Sequence, residues 1–198
     1  MTLMRMYITA GLILAAAGLS SCTSRSRIAS EELYKKAVVL YQNKDFSKAE
    51  TILSRAMELD HKKMETAFLY GKTLFLQKKF SDARKVFNDV KKMEACNYDA
   101  RLWYVKSCLA DNEPEAAKTE LLEMQGKHHE DWKIYFYLYI AEMKSENADD
   151  ALKMLKAAEG LIHEGSAVYF EMACFWENLG IKDKAQKYFD FYRSFNEL

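Results

Sequence analysis

The 198-residue chain contains one proline, Pro114, and seven glycines. So few turn formers exclude a turn-rich all-β fold, and the 49% apolar content excludes a disordered chain. No charge sign dominates, because 29 Lys and Arg face 29 Asp and Glu. The balance removes any electrostatic reason to expect a nucleic-acid partner. No glycine-rich phosphate loop, Gly-x-Ser-x-Gly elbow or His-Glu-x-x-His pair occurs, so the sequence offers no support for an enzyme. Nothing in it calls for a cofactor.

Histidine and cysteine are also scarce, at four each. His61, His129 and His163 lie 68 and 34 residues apart, at equivalent positions of the repeat described below. They are spread along the chain, too far apart to share an ion held at ~2 Å, and no metal site is expected. Cys96, Cys108 and Cys174 read best as small apolar core residues, and a Cys96–Cys108 bridge stays open.

One feature that is present is a three-part N-terminus. Arg5 precedes an uncharged run from Tyr7 to Leu19, followed by Ser20, Ser21 and Cys22. This is the layout of a secretory signal. The run of about 13 residues is short of the ~20 that span a bilayer as a helix. Leu19-Ser20-Ser21-Cys22 resembles the bacterial lipobox. The resemblance implies cleavage after residue 21, a diacylglyceride thioether on Cys22 and acylation, typically palmitate, of the new N-terminus. Residues 1–21 are then a lipoprotein signal peptide and residues 22–29 a lipidated tether, with the folded part starting at residue 30. An extended "TSRSRIAS" (23–30) reaches at most ~28 Å, so the domain stays near the membrane. By the sorting rule of many Gram-negative bacteria, Thr23 rather than Asp after Cys22 implies the outer membrane, facing the periplasm. A monoderm host would place the domain outside the cell membrane.

The rest of the chain is periodic. "DFSKAETILSRA" (45–56) aligns with "KFSDARKVFNDV" (79–90) at an offset of 34. Alanine recurs at that interval as Ala49, Ala83, Ala117, Ala151 and Ala185, each followed four residues later by Leu53, Phe87, Leu121, Leu155 or Phe189. Ser47, Ser81, Glu115, Asp149 and Asp183 precede the alanines as helix-starting residues. Ser47 with Glu50 fits a capping box, and Pro114 favours a helix start. The pattern predicts five helix–turn–helix units, at 30–63, 64–97, 98–131, 132–165 and 166–198. Each alanine marks where the second helix crosses the first. The facing residue is small at Ala37, Gly71 and Ala173, intermediate at Val105 and large at Tyr139.

The period and these positions resemble the tetratricopeptide repeat, and "AMELDHKK" (56–63) is similar to the family's usual unit ending. The resemblance implies an all-α, α–α superhelix over residues 30–198. Tyr139 and Glu142 depart from the pattern, so the fourth unit is expected to pack its helices at an unusual angle. In such a superhelix the first helices line a concave groove that holds a partner segment. The implied lining is Tyr34, Phe68, Leu102, Phe136 and Phe170 at the fifth positions, with Lys72, Lys106 and Ile140 at ninth positions and Phe75 at a twelfth. The strip is apolar and aromatic, with two lysines on neighbouring repeats. It suits an apolar or amphipathic segment bearing an acidic residue. The lysines do not reproduce the paired pattern with which some members grip a C-terminal carboxylate.

The resulting expectation is a lipid-anchored scaffold that binds another envelope protein or peptide segment. Two alternatives remain open: a module for a small apolar or peptide ligand, and a self-assembling, homo-oligomeric structural lipoprotein. The uncharged stretch of "DWKIYFYLYIAEM" (131–143) falls on the first helix of the fourth unit, with Tyr135, Leu138 and Tyr139 toward its second helix and Phe136, Ile140 and Met143 toward the groove.

Overall fold

A computed structural model describes residues 25–94, 97–161, 166–178 and 180–196. The signal segment, Cys22, Cys96 and His163 lie outside them. Among the described residues there are ten helices and no strand. They are α1 (25–42), α2 (Phe46–Leu59), α3 (Met64–Leu76), α4 (Phe80–Met93), α5 (Tyr98–Ala110), α6 (Pro114–Gln125), α7 (Trp132–Lys144), α8 (Ala148–Leu161), α9 (Ser166–Asn178) and α10 (Lys182–Asn196). From α3 onward the first helices start at 34-residue intervals. So do all five second helices, at residues 46, 80, 114, 148 and 182.

One turn joins the two helices of every repeat. Residues 44, 78, 112, 146 and 180 all have positive φ, between 59° and 74°. The next residue's N–H reaches back five residues to a carbonyl: Asp45 to Leu40, Lys79 to Leu74, Glu113 to Cys108, Asn147 to Glu142 and Ile181 to Trp176, at 2.8–3.0 Å. This is the Schellman closure, which satisfies carbonyls that the helix end leaves without partners. Four of the five left-handed residues are not glycine, so lysine, asparagine and glutamate hold a conformation that glycine adopts without steric cost.

The helix starts differ from the expected caps. The cap of α2 is Asp45, whose carboxylate accepts from the Lys48 N–H at 3.3 Å. Ser47 already lies in the first turn, so it forms no capping box. Glu50 turns instead to α3's end, where it accepts from Gln77 Nε2 at 2.8 Å and Lys79 Nζ at 2.6 Å. Pro114 sits at the first position of α6, as its fixed φ favours. Residues 25–29, read from the sequence as tether, are the opening of α1. Ser30 is buried there, and its hydroxyl donates to the Ala56 carbonyl at 2.9 Å.

The chain divides into two compact units, Met1–Trp103 and Tyr104–Leu198. In the first, Ala37, Ala49 and Leu53 form one buried cluster, and Ala67, Val90 and Ala100 another. Gly71 faces Phe87, whose ring is fully buried. In the second unit, Ala151, Leu155, Ala158, Val168, Met172, Phe175, Trp176 and Ala185 share a core with Tyr139. All five repeat alanines are buried.

Tyr139 is accommodated through its hydroxyl. The ring is 6% exposed, and Oη donates to Glu171 Oε2 at 3.3 Å on α9, the first helix of the next repeat. Burial and the Glu171 carboxylate push its phenol well above the ordinary range. Glu142, at a position where an apolar residue is usual, is 8% exposed. It pairs with Lys118 Nζ at 2.9 Å on α6. That bond raises the Lys118 ammonium above its usual value.

No helix among the described residues is long and apolar enough to cross a membrane. The uncharged stretch of 131–143 is α7. Its Ile134, Leu138, Tyr139 and Ala141 are buried, and Tyr135, Phe136 and Ile140 pack half-buried against the second unit's core.

Candidate functional site

Helix α3 is apolar on more than one face. Its Ala67, Gly71 and Leu74 are buried, while Phe68, Lys72 and Phe75 stay half-buried on another side. Spacings of three and four residues bring these last three onto one face. Lys72 Nζ stands 5.6 Å from the Tyr41 ring centre, 5.9 Å from Phe68 and 5.4 Å from Trp103. Phe75 meets Trp103 edge-on with ring centroids 5.4 Å apart, and meets Phe80 edge-on at 5.2 Å. Trp103 stacks on Phe87 at 5.7 Å with an interplanar angle of 21°. The buried Phe87 therefore fixes the tryptophan, and the tryptophan forms one wall around the lysine.

The arrangement leaves an ammonium within cation–π range of three rings. Among the described residues Lys72 has no acidic partner within ion-pair distance. Aromatic walls lower the local polarity, and an ammonium with no carboxylate keeps its donors for an incoming one. Burial pushes the Tyr41 phenol upward, so this wall stays neutral well past neutral pH. The patch can hold an acidic group that is followed or preceded by apolar side chains.

The other expected lining residues are placed differently. Tyr34 packs on the first unit's core and lies under Lys63, whose Nζ is 4.3 Å from the ring centre. Leu102, expected among the lining residues, is 6% exposed and buried. In the second unit, Lys106 Nζ stands 5.8 Å from the Tyr137 ring, and Phe136 touches Trp132, Tyr137 and Tyr139. Ile140 is half-buried against that unit's core. Phe170 is 41% exposed and leans on Phe189 and Tyr192 of α10. The expected strip is thus part core and part surface. Its cation-centred portion lies around Lys72.

Tyr41 and Trp103 complete the patch, although neither stood among the primary lining residues. Tyr41 occupies a twelfth position, and Trp103 is in register with Tyr137 of the next repeat, one period on. That shared register next to Lys72 and Lys106 was the available signal. Among the described residues no group of three or more His, Cys, Asp or Glu is placed to hold a metal ion. Cys108 is buried and Cys174 half-buried, with burial raising the Cys174 thiol.

The family model of anaphase-promoting complex, cyclosome, subunit 3 matches residues 14–90, less than half of the chain. No curated protein sequence matches it. Among solved structures, the chain is similar to MamA of Desulfovibrio magneticus RS-1, residues 41 to the end. The identity is 14%, 85% of this chain and 95% of that one are covered, and the TM-score is 0.71. A crystal structure of MamA protein is 17% identical, covering 88% and 93%, with a TM-score of 0.68. MamA of MSR-1 is 16% identical, covering 86% and 98%, with a TM-score of 0.63. At these identities the likeness concerns the fold. Together with the helix pattern, it establishes an all-α array of tetratricopeptide-like helix–turn–helix repeats, of the α–α superhelix class.

Proposed function

We propose that this chain is a lipid-anchored scaffold of the bacterial cell envelope, which holds a segment of another envelope protein on the α3 face around Lys72. The observation that carries this reading is the Lys72 ammonium, framed by Tyr41, Phe68 and Trp103 and without an acidic partner among the described residues. A tetratricopeptide-like repeat array is a surface for protein–protein contact rather than a catalytic framework, which fits the balanced charge and the lack of catalytic motifs. The bound segment is apolar or amphipathic and carries an Asp or Glu that meets Lys72.

The anchor is Cys22, at the end of Leu19-Ser20-Ser21-Cys22, and Thr23 supports the outer membrane as its location with the repeats in the periplasm. Several acyl chains on one residue give stable attachment, because each buried CH₂ contributes ~0.8 kcal/mol. Radiolabelled palmitate incorporation in wild type and Cys22→Ala tests the anchor; equal labelling overturns it. Crosslinking in intact membranes from Phe68, with and without Lys72→Glu, tests the partner face. A partner adduct that Lys72→Glu leaves unchanged overturns the role given to the lysine.

A further inference from the structure

The start of α1 lies three residues from the cysteine read as the anchor. Those three residues reach at most about 11 Å, while the headgroup layer of one leaflet is roughly 5–7 Å thick. The surroundings of Arg25 are then held within about 6 Å of the headgroup layer. Helix α2 runs back along α1, which brings the α2–α3 turn beside this end. The contacts are Ser30 with the Ala56 carbonyl at 2.9 Å, Arg27 Nε with Asp60 Oδ2 at 3.7 Å, and Lys63 with Glu31.

This end presents the side chains that a bilayer surface accepts. Ile28 is 63% exposed and Leu59 37% exposed. The Arg25 and Lys62 side chains are exposed and form no ion pair among the described residues, although the Lys62 N–H donates to Asp60 Oδ1 at 3.2 Å, and Arg27 remains 76% exposed despite Asp60. An open cleft of about 920 Å³ between α1 and the turn is lined by both charge signs, which suits zwitterionic headgroups. The opposite end of the repeat is the α1–α2 turn, where Gln42, Asn43 and Lys44 are exposed; Val39, in the last turn of α1, is its one exposed large apolar side chain, at 55%. Across the 18 residues of α1 the two ends are separated by about 27 Å.

We propose that the start of α1 and the α2–α3 turn form a membrane-contact surface, with Ile28 and Leu59 inserted among the headgroups and Arg25 and Lys62 on lipid phosphates. The first repeat then stands on the bilayer by this end, and its α1–α2 turn points away. The inference rests on the reading of Cys22 as an acylated anchor.

The test uses the full chain purified with its lipid and reconstituted in phosphatidylethanolamine–phosphatidylglycerol vesicles that contain a brominated lipid. A fluorescent amino acid replaces Ile28, Lys62 or Asn43, and intact mass reports acylation. Acylated protein with quenching several-fold stronger at positions 28 and 62 than at 43 supports the proposal. Acylated protein with equal quenching at all three, or strongest at 43, overturns the contact surface and leaves the anchor standing. A mass without acyl groups overturns both.

Discussion

The ring of Phe87 occupies the place where a side chain on residue 71 would begin: a β-carbon on Gly71 would lie 2.8 Å from Phe87 Cζ. The pair joins the eighth and twenty-fourth positions of one repeat. The glycine lets the ring in, and the ring in turn supports Trp103. Glycine inside a helix costs about 1 kcal/mol relative to alanine, so its presence in α3 follows from this contact rather than from propensity. Gly71→Ala should destabilise the protein by about 1 kcal/mol net, because overpacking of 1–3 kcal/mol outweighs the propensity gain. In a Phe87→Leu background the same change should become neutral or favourable. Urea unfolding of the four variants measures this coupling, and additive effects would contradict it.

The repeated turns give a prediction of opposite sign. Lys44, Lys78 and Glu146 carry the left-handed conformation that Gly180 adopts in the last repeat. Lys78→Gly should raise stability by about 0.5–1 kcal/mol, although glycine usually weakens a helical region. Gly180→Ala should lower it. Thermal unfolding of both variants checks the pair, and a loss of stability in Lys78→Gly would show that the turn is not strained.

Stability should fall in alkali. Tyr188 is pushed up to about 12 by burial and the nearby Glu159, Tyr139 is raised by burial and Glu171, and Lys118 is raised by its bond to Glu142. A group whose folded pKa exceeds its unfolded value stabilises fully below the unfolded value, then less as pH rises toward the folded one. All three act in the same direction, so stability is retained to about pH 10 and lost above it. Tyr139→Phe combined with Tyr188→Phe should flatten that loss. An unchanged slope between pH 10 and pH 12 in the double variant would contradict these burials.

Ser30→Ala should cost about 1 kcal/mol, because it removes a buried hydrogen bond and leaves the Ala56 carbonyl with one partner fewer. Amide exchange of residues 29–32, whose helical N–H groups bond the carbonyls of residues 25–28, should quicken with it. Exchange already at the unprotected rate in the wild type would restore residues 25–29 to the tether.

Much of the fold was legible because the repeat writes it several times. The 34-residue recurrence of alanine and a large apolar residue places the second helices to within two residues, and every repeat alanine is buried. The cap of α2 is ambiguous in the sequence because Asp45 and Ser47 are both good capping residues, and only the backbone chooses between them. The left-handed turns were invisible, since lysine and glutamate do not announce positive φ. Position in the repeat also decided less about the site than it suggested. Leu102 shares its register with Phe68, yet one is interior and the other lines the lysine patch. Tyr139 was legible as an anomaly but not as a solution, because its partner Glu171 lies 32 residues away on another helix.

The central claim concerns the face around Lys72, and site-specific photocrosslinking in intact membranes tests it most directly. A photoreactive residue is placed at Phe68, at Tyr41 or at Lys85, an exposed residue of α4. The expected result is one shared adduct from positions 68 and 41 and none from 85, lost on Lys72→Glu, with the crosslinked peptide holding an acidic residue beside apolar ones. The same adducts from all three positions, or none from 68 and 41, would contradict a partner segment bound at Lys72.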